Sequence, residues 1–101
     1  MSYEIVITYT KTAETPADAF KMMPVLKPAG DVTQEQITAL NAAYPVEWDT
    51  RVVQDQVVIH NIFRSKEDHA ARNADPIIKN LQAKREEWAT ANHITVDIRV
   101  L

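Results

Sequence analysis

The chain of 101 residues has no cysteine, one glycine, and no long hydrophobic run. Without thiols there is no disulfide framework, no thiolate nucleophile and no sulfur-ligated metal. The three histidines, His60, His69 and His93, are not spaced like a zinc motif, so no metal is expected. No segment approaches the ~20 apolar residues of a membrane span, and the start MSYEIVITY lacks the basic residues and long apolar run of a signal peptide. The expectation is a cytoplasmic protein without a membrane partner. Clustered basic charge is missing too: the net charge is -3, and Lys84-Arg85 runs at once into Glu86-Glu87. A nucleic-acid partner would need a basic face, so none is expected.

What is present is ordinary for a globular chain, 46% hydrophobic and 25% charged, and residues 1–101 read as one domain. The informative stretch is Gln56–Ile78, QVVIHNIFRSKEDHAARNADPII. Its β-rich start passes through Ser65 into a polar helical segment that restarts at Asp75-Pro76. Ser65 is a good N-cap with Glu67 and Asp68 favoured in the first turn by the helix dipole, and Asp75-Pro76 is a second cap with proline at the first position. That second helix runs to about Ala91, with Ile77, Ile78, Leu81, Arg85 and Trp88 along one side, and Asn92 stops it.

Upstream, Tyr3 to Thr10 alternates, with Tyr3, Ile5, Ile7 and Tyr9 on its apolar face. Thr15-Pro16 can open a short helix that Pro24 and Pro28 interrupt. Thr33 and Gln36 form a capping box, with Val32 and Ile37 as its hydrophobic staple, and the helix runs to the stop at Pro45. Pro45 to Gln54 alternates again, and Gln54-Asp55 reads as a turn. Pairing Val52 with Val57 sets Trp48 opposite Asn61 and Asp49 opposite His60, a register that gathers Val46, Trp48, Val52, Val57, Ile59 and Phe63 on one face. His93 to Leu101 is a last strand.

The order of strand, interrupted helix, two strands, broken helix and strand gives an α+β fold. With right-handed crossovers it is a ferredoxin-like βαββαβ antiparallel sheet carrying its helices on one face. The other face then holds Val6, Val53, Val58, His60 and Ile62 among charged residues, too apolar to be left to water. A second copy is the expected cover, hence a homodimer.

At Phe63-Arg64-Ser65-Lys66-Glu67 and Asn73-Ala74-Asp75-Pro76 the chain resembles the dimeric α/β-barrel superfamily, and within it the antibiotic-biosynthesis monooxygenase type. The resemblance implies a dimeric α/β barrel. Its members include cofactor-free monooxygenases acting on polyketide-like phenols, polyketide cyclases, lactone isomerases, haem-degrading enzymes and proteins of no known activity. The strand-end Trp of that group is Phe63 here. The Asn often found four residues earlier would fall on Ile59, whereas this chain has Asn61 with the same side-chain parity. No histidine stands where the haem ligand of the haem-degrading branch would fall.

Two functional readings follow. In the first, a dimeric enzyme binds an aromatic or polyketide-like small molecule between sheet and helices and oxygenates, cyclises or isomerises it with no bound cofactor. Asn61 would then polarise a substrate oxygen, Tyr9 would relay a proton, and Trp48, Phe63, Trp88, Tyr3 and Phe20 would line the pocket. In the second, the protein is a non-catalytic dimeric module and Asn61 bonds a helix end or a water. His60, Asp49, Asp97 and Arg99 are expected at the dimer seam in either case. His69 and His93 read as surface residues.

Overall fold

The computed structural model describes residues 2–101. Its four strands are β1 (Tyr3–Thr10), β2 (Val46–Val53), β3 (Gln56–Phe63) and β4 (Thr95–Val100). They form one sheet in the order β2-β3-β1-β4 with every neighbouring pair antiparallel, the ferredoxin-like arrangement expected. The β2–β3 hairpin closes through Gln54-Asp55, with Gln54 at φ 52°. Its register sets Val52 opposite Val57, Trp48 opposite Asn61 and Asp49 opposite His60, as the alternation of side chains requires.

Three helices cross one face: α1 (Gln34–Ala43), α2 (Lys66–Ala74) and α3 (Pro76–Ala91). Each begins where a side chain takes up orphan backbone donors. Both bonds of the Thr33/Gln36 box are made, at 2.8 and 3.2 Å, while Ser65 Oγ accepts from Asp68 N at 3.1 Å and Asp75 Oδ1 from Ile77 N at 2.9 Å. Asp75 is extended at φ -66°, ψ 133°, the conformation a following proline imposes, so α2 must end there and α3 must start. The helix expected at Thr15-Pro16 shrinks to a single 3₁₀ turn, Ala19–Met22, which has no side-chain cap and too few residues to propagate.

Helix α3 ends in a Schellman turn. Ile94 N donates to Ala89 O at 2.9 Å and His93 N to Thr90 O at 3.3 Å, while His93 takes the left-handed φ of 56° usually given to glycine. The His93 carbonyl accepts from the hydroxyls of Thr12 and Thr15 at 2.7 and 3.0 Å, which ties the loop after β1 to this turn.

The helices lie over the central strands. Tyr9, Ala19, Val57, Ile59, Trp88, Ala89 and Ile94 form the main core cluster, and Trp88 Nε1 donates to Ala19 O at 3.0 Å. The edge strands overhang: β2 is exposed beyond Val46, and β4 along its whole length. Trp48 therefore stands on the helix face as its register predicts but is 63% exposed, because the helical layer is narrower than the sheet.

Candidate functional site

Asn61 sits on the helix face between two buried neighbours on its own strand, Ile59 and Phe63, and is flanked across the sheet by Ile5 and Trp48. It is half-buried, and its amide bonds no other described residue. No buried side-chain nitrogen or oxygen among the described residues lacks a partner, so this amide is reachable by solvent. In the adjoining row Phe63 lies between Tyr3 and Val46.

Helix α2 covers this corner with unusual material. Its sequence KEDHAARNA holds no large aliphatic or aromatic residue apart from His69, so the inward side is made by His69, Arg72 and Asn73, spaced i, i+3, i+4. The His69 ring packs 4.7 Å from Phe63 and 5.3 Å from Tyr3, centroid to centroid. Asn73 Nδ2 donates to His69 Nε2 at 2.9 Å while Asn73 Oδ1 accepts from Gln82, which leaves the proton of the neutral ring on Nδ1. Burial lowers the His69 pKa from its ordinary value and favours that neutral form. His69 is thus a packed residue, not the surface residue its position in a polar helix suggested.

Arg72 is 7% exposed. Its Nη1 donates to Asn41 Oδ1 at 3.0 Å and to Tyr44 O at 3.2 Å, and Arg64 Nη2 donates to Ala43 O at 3.0 Å. Helix α1 has neither a C-terminal glycine nor a basic residue in its last turn, so these two arginines from the following segment take up its end carbonyls. Burial lowers the Arg72 pKa, and the charge of Asp75 offsets this in part.

The remaining pocket candidates gather elsewhere. Tyr9, Phe20 and Trp88 meet at 5.4 Å (Tyr9–Trp88) and 6.4 Å (Phe20–Trp88). Tyr9 stands four residues along β1 from Ile5, the partner of Asn61, or about 13 Å of strand. Burial raises the Tyr9 pKa, an effect reduced by Arg85, whose Nε also donates to Pro24 O at 2.8 Å. The structure therefore brings Asn61, Phe63 and Tyr3 together with Trp48 at the rim, and sets Tyr9, Phe20 and Trp88 apart in the core. An open groove of about 500 Å³ lies at yet another place, lined by residues that include Glu14, Thr90 and His93. It is a furrow beside the Schellman turn, with no convergent set of buried polar groups.

On the opposite sheet face, His60 Nε2 donates to Glu4 Oε1 at 2.9 Å, and the expected His60–Asp49 contact does not form. Asp49 accepts instead from Arg51 at 2.8 Å on its own strand, and the His60 ring is taken up by Glu4. Asp97 and Arg99 pair in the same way at 3.1 Å on β4. Among the described residues no group of His, Asp or Glu is placed to hold a metal ion, and no helix is long and apolar enough to cross a membrane.

No protein-family model and no curated protein matches this sequence. Solved structures do match. Rv0793 from Mycobacterium tuberculosis superposes with a TM-score of 0.63 at 14% identity, over 100% of this chain and 93% of its own. A protein of unknown function from Bacteroides thetaiotaomicron VPI-5482, described as a possible oxidoreductase, gives 0.59 at 10% identity over 99% and 95%. A protein from Chloroflexus aurantiacus J-10-fl, described as a candidate antibiotic biosynthesis monooxygenase, gives 0.53 at 12% identity over 100% and 93%. At these identities the likeness is one of fold alone, the ferredoxin-like α+β fold of a four-stranded antiparallel sheet with helices.

Proposed function

We propose that the protein binds a small aromatic molecule at the corner between β3, β2 and helix α2, and acts on it without a bound cofactor by stabilising an oxyanion. The observation that carries this reading is the Asn61 amide, held among Ile59, Phe63 and Ile5 with no partner of its own. A polar group placed so in an apolar setting is what a small-molecule site uses to orient its ligand. Oxygenation by dioxygen as co-substrate, cyclisation and isomerisation of a phenol or enone all pass through a phenolate or enolate, whose proton is released to solvent here, and an N–H donor aimed at that oxygen lowers the barrier to each. Asn61 is the donor, Phe63 and Tyr3 flank the ring, and Trp48 closes the rim. Trp88 and Phe20 support the core behind it, and Tyr9 stands with them, its hydroxyl proton held more firmly through burial. The descriptions of the Chloroflexus and Bacteroides structures, monooxygenase and oxidoreductase, agree with this chemistry by analogy of fold.

The protein works as a homodimer in this reading, paired through the sheet face that carries Val6, Val53, Val58, His60 and Ile62. The two edges of that face support it. Asp49 and Arg99 end one row of the sheet, and Arg51 and Asp97 end the next. A two-fold axis along the strands sets β2 of one copy beside β4 of the other, with Asp49 against Arg99 and Arg51 against Asp97. The same face is all that a non-catalytic dimeric module would need, and that is the second reading.

Asn61→Leu separates the two. With a ligand-binding amide, the variant melts at or above the wild-type temperature, while its affinity for 1-naphthol, followed by tryptophan fluorescence, falls by about one to two orders of magnitude. Stability lower by about 1 to 3 kcal/mol with unchanged binding would assign Asn61 to the structure and favour the module.

A further inference from the structure

We infer that Arg72 is an anchor for a carboxylate, so that the ligand of this corner is a small aromatic acid. The inference rests on the corner being a ligand site, and it names the chemistry that site selects. Exposed arginines in this protein find acids readily: Arg51 pairs with Asp49, Arg64 with Asp68 and Arg99 with Asp97. Arg72 is far more buried than any of them, yet none of the ion pairs among the described residues includes it. The two nearest acids along helix α2 are otherwise engaged, Asp68 by Arg64 and Asp75 by the amide of Ile77. A guanidinium taken out of water with only neutral hydrogen-bond acceptors, its burial offset only in part by the charge of Asp75, is an incomplete arrangement, since burial of a charge is usually balanced by a directly paired opposite one.

The geometry of what is free matters more than the missing acid. Both protein bonds to Arg72 are made by Nη1, to Asn41 Oδ1 and Tyr44 O. That leaves the edge formed by Nε and Nη2, whose two parallel N–H groups match the two oxygens of a carboxylate. Because no fully buried side-chain nitrogen among the described residues is without a partner, this free edge is not completely sealed, although Arg72 as a whole is only 7% exposed. The Nη1 bonds fix the plane of the fork in advance, so little rotamer entropy is lost when an anion docks.

The surroundings fit the same ligand. Tyr44, which holds Nη1, is two residues from Val46, and Val46 shares a row with Phe63 and Tyr3, next to the row of Asn61. Arg72 is one helical turn from His69, whose ring lies on Phe63 and Tyr3. An aromatic ring beside Phe63 with a carboxylate directed to the α1 end would meet a cation, the Asn61 amide and the His69 Nδ1–H, all of them donors.

The test uses the whole wild-type protein and watches the Arg72 Nε–H resonance in ¹⁵N-correlated NMR spectra, with benzoate, its uncharged isostere benzamide, and sodium chloride as probes. The Arg72 signal is assigned by through-bond correlation and checked by its loss in Arg72→Lys. The expected result is a saturable shift of Arg72 Nε–H with benzoate, at an affinity ~10-fold or more above that of benzamide, and no comparable shift with chloride. An unmoved resonance, or equal shifts with benzoate and benzamide or with chloride, would overturn the anchor. Since the wild-type spectra decide the matter, a misfolded Arg72→Lys changes nothing. The two claims about this corner fail separately: naphthol binding that depends on Asn61 with a silent Arg72 removes the anchor alone. A benzoate shift at Arg72 that survives intact in Asn61→Leu keeps the anchor and removes the role of Asn61.

Discussion

His69 and Arg72 show how little the type of a residue says about its place. Both are polar residues in a strongly polar helix, and the ordinary expectation puts them in water. Helix α2 nevertheless has to pack on Phe63, and lacking Leu, Ile, Val and Phe it can do so only with an imidazole, a guanidinium stem and alanines. The absence of any large apolar residue in a helix that must cover a strand was the available signal. It was there to read in KEDHAARNA, whereas Asn61 was legible directly from its parity with Val57, Ile59 and Phe63. The packing of His69 has a consequence in pH. Its folded pKa lies below the ordinary 6.5, so the unfolded chain binds the proton more readily. The stability this contributes is complete above 6.5 and is lost as pH falls from there through the lowered folded value. The melting temperature should therefore decline from neutral pH to about pH 5 and decline less in His69→Gln. Equal slopes in the two proteins would show that His69 is not packed as described.

At the scale of elements the sequence was most informative at the ends of helices. Thr33, Ser65, Asp75 and Asn92 each stand where their side-chain chemistry predicts, because a cap is a local exchange between a side chain and orphan backbone groups and needs nothing from the rest of the fold. The segment after β1 was less legible, since Thr15-Pro16 offers a start signal but the chain has too few residues before Pro24 to propagate a helix. Thr33→Ala removes one of the two reciprocal bonds of the capping box, and should lower stability by about 1 kcal/mol with no change in 1-naphthol affinity. A chemical-denaturation midpoint equal to that of the wild type would mean that α1 does not depend on this cap.

For the molecule as a whole, sheet order and register were legible because hydrophobic alternation and crossover handedness leave few alternatives. What could not be read was how far the helices extend sideways over the sheet, a tertiary property that leaves Trp48 on the expected face and yet 63% exposed. The same narrow helical layer leaves Val52, Val96, Ile98 and Val100 exposed on two unpaired edges, a form that invites another strand. We expect sedimentation velocity at micromolar concentration to give a dimer, weakened by Asp49→Arg and restored when Arg99→Asp is added. A monomer would refute the pairing of sheet faces. The central claim is the location of the ligand site, and its most direct test is a residue-by-residue map of amide shifts on titration with 1-naphthol. The largest changes should fall on Asn61, Phe63, Trp48, His69 and Tyr44. Changes centred on Val6, Val58, His60 and Ile62, or on the groove beside Glu14 and His93, would contradict it.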